Sequence, residues 1–148
     1  MSNTPTVPLP QSILIIDDDP DLIETLADSL ELVGHFRVVR ASDGRAGLEA
    51  AVAQRPDCVV VDVRMPHLNG MQFVRAMRGD AATAHIPIIM LSALIQDRDV
   101  QLGFLSGADA YLRKPVRIHE LLAAIQSALR VTQEQRVQAL VRLSERED

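Results

Sequence analysis

Three consecutive carboxylates, Asp17, Asp18 and Asp19, follow the apolar run Ile13–Ile16, and a further aspartate, Asp62, follows the run Cys58–Val61. A hydroxyl, Ser92, closes the run Ile86–Leu91, and an ammonium, Lys114, with Pro115 after it, follows the weaker run Ala110–Leu112. Carboxylates gathered in one place repel one another, so such a cluster normally means a bound cation or raised pKa values. Hard oxygen ligands in this number, without His or Cys, point to Mg2+ rather than zinc. Mg2+ usually keeps several waters and takes one or two carboxylates, which leaves positions for phosphate oxygens. A lysine opposite supplies a second positive charge, and Ser92 offers a hydrogen bond to an incoming anion. Cation, lysine and hydroxyl around one carboxylate make a phosphoryl-transfer site, where catalysis is mainly positioning and charge neutralisation.

Each member alone has a plainer explanation. Asp17–Asp19 before Pro20 reads as an N-cap and acidic first turn. Asp62 could cap the following loop, Ser92 is uninformative, and Lys114 could be a solvated charge. Jointly these explanations fail, because separate accidents would all have to fall at the ends of strands in one sheet. Lys114 is also the only lysine among the 15 basic residues; every other cation is Arg. A compact point charge on a flexible stem is not interchangeable with a planar fork.

The elements that must position these groups follow from periodicity. Short, continuously apolar runs at Ile13–Ile16, Arg37–Val39, Cys58–Val61, Ile86–Leu91 and Ala110–Leu112 suit strands buried on both faces of a parallel sheet. Between them, Leu22, Ile23, Leu26, Leu30 and Val33 recur at helical spacing up to Gly34. Ala46–Gln54 stops before Pro56, Met71–Met77 before Gly79, and Val100–Leu105 before Gly107. Gly just past a helix and Pro beyond it are stop signals. Alternating strand and helix predicts an α/β fold with a central parallel sheet. Ligands of such folds gather at the carboxyl ends of the strands, where strand order reverses. A final amphipathic helix is predicted from Ile118, Leu121, Leu122, Ile125 and Leu129, with a less regular continuation towards Asp148.

Composition narrows the function. The 148 residues suit one domain with length to spare, and 47% hydrophobic residues allow a full core. A net charge of -5 without a basic cluster argues against direct nucleic-acid contact. No stretch reaches the roughly 18 apolar residues of a membrane span. The single Cys58 cannot form an internal disulfide, which is compatible with a reducing cytoplasm. Residues 1–11, with Pro5, Pro8 and Pro10, read as a flexible leader.

Together these residues resemble the receiver family of two-component response regulators over about 12–129. The likeness rests on Ile13–Asp18, on Val60-Val61-Asp62-Val63-Arg64-Met65-Pro66 with Gly70 eight residues after the aspartate, on Ile88-Ile89-Met90-Leu91-Ser92-Ala93, and on Gly107–Pro115. The resemblance implies a doubly wound, flavodoxin-like fold with a five-stranded sheet of order 2-1-3-4-5 and five helices, the last extended. It implies that Asp62 attacks the phosphorus of a phosphohistidine on a histidine kinase or phosphotransfer protein. Mg2+ would be bound by Asp62, directly by Asp18, through water by Asp17, and by the backbone carbonyl of Arg64. Lys114 would pair with phosphoryl oxygens, and the Lys114–Pro115 bond would be cis. Ser92 and Tyr111 would form the switch: the hydroxyl of Ser92 moves to the phosphoryl group and Tyr111 turns inward. The face of the fourth helix and the fourth and fifth strands would then carry the signal to a downstream domain or protein. Asp19 is expected to cap the helix starting at Pro20 instead of binding the metal. Departures from the family pattern are mild: Ser92 where Thr is commoner, Arg64 two residues after the acceptor, and Leu94.

On this reading the chain is a signalling phosphoacceptor and acts as an enzyme only on itself. Two alternatives carry less. Asp17-Asp18-Asp19 fits the Asp-x-Asp of haloacid-dehalogenase-type phosphatases with Asp17 as nucleophile, but the small residues and late acidic pair of that family are missing. A degenerate receiver that only binds proteins would lack a catalytic residue, and none is lacking. Residues 130–148 read as a helical extension that forms a homodimer or relays the signal, as a linker, or as a fraying helical end. Leu143-Ser144-Glu145-Arg146-Glu147 resembles the opening of certain helix-turn-helix output domains.

Overall fold

The computed structural model describes residues 9–65, 67–93 and 107–146. The apolar runs become five strands: β1 (Ser12–Ile16), β2 (Arg37–Ala41), β3 (Cys58–Asp62), β4 (Ile88–Ser92) and β5 (Ala110–Arg113). They form one sheet of order β2-β1-β3-β4-β5, with every pair parallel. Four helices are described: α1 (Pro20–Leu32), α2 (Gly44–Gln54), α3 (Gly70–Gly79) and α4 (Ile118–Arg146). The helix expected at Val100–Leu105 and the departure at Leu94 lie outside the described residues, as do residues 1–8 of the leader.

Period-two alternation explains why the central strands read as unbroken apolar runs. In β1, Ile13 and Ile15 join a cluster with Ile23, Leu26 and Leu30 of α1 and Leu121, Ile125 and Leu129 of α4. Leu14 and Ile16 point the other way, into a cluster with Ala51 of α2 and Phe73, Val74 and Met77 of α3. Each fully buried aliphatic side chain is worth about 1.5–3 kcal/mol over its exposed state. A one-residue slip would send every β1 side chain to the wrong layer, so two filled layers fix the register.

The strand edges differ from the sequence expectation in ways the backbone explains. The run Ile86–Leu91 becomes a strand only from Ile88, because Pro87 has no N–H for the ladder. Ile86 instead closes the preceding turn, donating its N–H to Thr83 O at 3.1 Å. Helix α1 starts where Asp19 caps it: its carboxylate accepts from the N–H groups of Asp21 and Leu22 at 3.1 and 3.3 Å. Helix α3 opens with a capping box, in which Asn69 and Gln72 satisfy each other's backbone N–H groups at 2.9 and 3.0 Å. Helix α4 is one continuous helix of 29 residues, about 43 Å long. Among the residues whose burial is described, the buried ones are Leu121, Ile125, Ala128 and Leu129.

Candidate functional site at the strand ends

The sheet register brings the candidate residues to one edge. Ile16 pairs with Val61 and Asp62 with Leu91, so Asp17, one residue past β1, lies beside the end of β3. Ser92 pairs with Arg113, and the Lys114 N–H donates to Ser92 O at 2.8 Å. The four strand ends therefore deliver Asp17, Asp62, Ser92 and Lys114 to one place.

Contacts between these side chains are direct. Lys114 Nζ donates to Asp17 Oδ2 at 2.9 Å and to Asp62 Oδ2 at 3.1 Å. Asp17 is 1% exposed and Asp62 6%. The other oxygen of each carboxylate is also held: Asp17 Oδ1 accepts from the Asp19 N–H at 2.9 Å, and Asp62 Oδ1 from the Arg64 N–H at 3.2 Å. Asp18 is exposed beside them, and ligand oxygens of Asp17, Asp18 and Asp62 all lie within 4.8 Å of one another. Ser92 is buried at the end of β4 and Arg64 has an exposed side chain. The Lys114–Pro115 peptide is cis.

Electrostatics follow from this crowding. Burial, and then the negative charge of Asp17, raise the Asp62 carboxyl above its ordinary value, against the pull of Lys114 and the Arg64 N–H. For Lys114, burial disfavours the ammonium, but the hydrogen bonds and charges of Asp17 and Asp62 outweigh it and the net direction is up. Three carboxylates facing one ammonium leave an excess of negative charge. The donor set is all oxygen, and Asp18 lies open to water, as Mg2+ requires when it keeps part of its hydration shell. The residues therefore fit that ion.

The reason for Gly70, noted in the sequence only by its spacing, is local. Its N–H donates to Val63 O at 2.9 Å, and a Cβ there would come within 2.5 Å of Asp62 O. The first turn of α3 is thus pressed against the backbone at the end of β3. Gly70→Ala is expected to destabilise the protein by about 1–3 kcal/mol, the usual cost of overpacking, with urea denaturation as the measure.

Tyr111 lies partly buried against the cluster that holds Phe73 and Met90, and its hydroxyl is buried without a hydrogen-bond partner among the described residues. An orphan buried donor costs about 1–3 kcal/mol. Tyr111→Phe should therefore stabilise the metal-free protein by roughly 1 kcal/mol in urea denaturation, whereas an exposed hydroxyl would give no gain.

Two contacts were not foreseen from sequence. Asp17 holds the lysine directly, and Arg64 reaches Asp62 through its N–H. The second is a backbone contact and leaves no signature in residue types.

Comparisons with known proteins agree with this geometry. The response regulator receiver domain family matches residues 13–126. The chain is 42% identical over 120 residues to the DNA-binding dual master transcriptional regulator RpaA of Synechocystis, covering 81% of this chain and 49% of that protein. It is 38% identical over 130 residues to the DNA-binding response regulator MtrA of Mycolicibacterium smegmatis, covering 88% and 55%. The chain thus spans about half the length of these relatives. Among solved structures, chemotaxis protein CheY4 of Vibrio cholerae superposes with a TM-score of 0.77 at 31% identity, covering 81% of this chain and 99% of that one. A receiver domain from Clostridium thermocellum gives 0.78 at 31%, covering 84% and 98%. The family match, the strand order and the acidic pocket at the strand ends together establish that this chain belongs to the response regulator receiver domain family.

Proposed function

We propose that Asp62 accepts a phosphoryl group from a phosphohistidine on a histidine kinase or phosphotransfer protein, with Asp17, Asp18, Asp62 and the Arg64 carbonyl holding Mg2+. The observation that carries this reading is the Lys114 ammonium set 2.9 and 3.1 Å from two buried carboxylates in a three-carboxylate cluster. An Asp62 oxygen attacks phosphorus, the P–N bond breaks, and its electron pair returns to the imidazole nitrogen. Bound Mg2+ supplies neutralisation of the phosphoryl oxygens. Lys114 exchanges its Asp62 contact for a phosphoryl oxygen, and Ser92 donates its hydroxyl to another. Tyr111, on the strand that delivers Lys114, reports the new state. The chain acts catalytically only on its own phosphorylation and dephosphorylation.

Domain limits on this reading are a leader at 1–11, the receiver at 12–129 and a helical extension or linker at 130–148. The output is a downstream domain or partner protein, and the extension either pairs two copies as a homodimer or relays the signal. RpaA and MtrA are named as DNA-binding regulators; on this reading the receiver itself makes no direct nucleic-acid contact. Among the described residues no helix is long and apolar enough to cross a membrane. A buried free thiol at Cys58 supports placement in the cytoplasm. Incubation with labelled histidine kinases tests the reading. Transfer to the wild type in the presence of Mg2+, and its loss on chelation, is the expected result; transfer that is indifferent to chelation contradicts the metal assignment.

A further inference from the structure

The far end of the sheet holds a second concentration of hydrogen bonds, centred on Arg78 in the last turn of α3. Its Nε and Nη2 donate to Gly107 O at 3.0 and 2.8 Å, and Nη2 also donates to Asp109 Oδ2 at 2.9 Å. Its Nη1 donates to Ala84 O at 2.9 Å and to Ile86 O. Asp109 Oδ2 accepts in addition from the Ile88 N–H at 2.8 Å. Gly107 has φ 105°, and a Cβ there would lie 2.9 Å from Arg78 Cγ. One guanidinium therefore ties the end of α3 to the starts of β4 and β5. Only a planar fork serves this many acceptors at once.

Strand β5 needs such an anchor. It is an edge strand whose sole neighbour in the sheet is β4, and none of its four residues is fully buried, whereas all five residues of β3 and of β4 are. Burial does not pin its register as it pins the central strands. Yet β5 leads directly into Lys114, and it carries Tyr111. At its other end, α3 is pressed against the Asp62 carbonyl through Gly70. The contacts close a ring: Asp62, α3, Arg78, Asp109, β5, Lys114, and back to Asp62.

We propose that Arg78 is a positioning residue for phosphoryl transfer, fixing the start of β5 so that Lys114 at its far end meets Asp62. The inference rests on the phosphoacceptor reading above. The test uses the full chain, labelled with 13C-lysine, which contributes one residue's signals because Lys114 is the only lysine. Arg78→Met keeps the apolar stem and removes the fork, and Asp109→Asn removes the charged partner while leaving an acceptor for the Ile88 N–H. Leu26→Ala, in the buried face of α1 and outside the ring, serves as a control for lost stability. Beryllofluoride, a phosphoryl mimic, is titrated with Mg2+ saturating, and Mg2+ alone is titrated separately.

Arg78→Met is expected to weaken beryllofluoride binding about tenfold, as small misplacements at such sites do, and to shift the lysine signal without weakening Mg2+ binding. Asp109→Asn should move both readouts in the same direction by less. Wild-type beryllofluoride affinity in Arg78→Met and Asp109→Asn, or an equal loss in Leu26→Ala, would overturn the inference. Failure of the wild type to bind beryllofluoride would overturn the phosphoacceptor reading instead.

Discussion

Lys114→Met should destabilise the metal-free protein by about 3 kcal/mol, and saturating Mg2+ should recover most of that loss. The ammonium stands between two carboxylates with side chains 1% and 8% exposed, and without it their charges face each other and Asp18 uncompensated. Removing one member of a buried ion pair costs more than the pair is worth, because the remaining charge stays desolvated. Lys114 itself is 20% exposed, so water reaches the cluster and holds the loss at the lower end of that range. Its pKa lies above the ordinary 10.5, so its contribution is fully present at neutral pH and disappears only as alkaline pH passes the folded-state value. A divalent ion on the same carboxylates substitutes for the missing charge. Urea denaturation with chelator and with Mg2+ measures both arms; an equal deficit in the two would show that the lysine acts by packing alone. Phosphoryl labelling should continue at a reduced rate in this variant, uncoupled from any change at Tyr111.

Asp62→Asn should have the opposite effect on the metal-free fold and a complete effect on chemistry. Labelling by acetyl phosphate or phosphoramidate should be abolished, since an amide oxygen is no nucleophile towards phosphorus. Stability should rise at neutral pH. Burial and Asp17 raise the Asp62 pKa above 3.8, so between that value and the raised one the folded protein binds more protons here than the unfolded chain. Stability conferred through this group therefore falls as pH rises across that window, and the cost persists above it. The neutral variant escapes this cost while keeping an acceptor for Lys114. Its advantage over wild type should grow from acid to neutral pH in paired urea titrations and shrink when Mg2+ is added. A constant difference across pH would remove the electrostatic explanation.

Much of this architecture was legible because the two layers impose simple patterns. Strands β1, β3 and β4 are buried on both faces and read as continuous apolar runs, and Asp19 before Pro20 marks the start of α1. Chemistry residues directly after such runs could be placed at one sheet edge from topology alone. Strand β5 read weakly for a physical reason: as an edge strand it is only half-buried. The first two residues of the Ile86–Leu91 run misled, since apolarity reports burial and not the missing N–H of Pro87. Arg78 was invisible among the arginines because its partners Gly107 and Asp109 are 29 and 31 residues away. Periodicity encodes faces, whereas it does not encode which loop a long side chain will reach. Asp57, whose carboxylate accepts from the Ser12 N–H at 2.8 Å across 45 residues, escaped notice for the same reason.

The direct test is chemical mapping of the phosphorylated residue. Wild-type protein treated with phosphoramidate and Mg2+ is reduced with borohydride, which converts an aspartyl phosphate to homoserine, and its peptides are sequenced by mass spectrometry. Homoserine at position 62 alone is the expected result. Homoserine at position 17, or none anywhere in a protein that binds Mg2+, would contradict it.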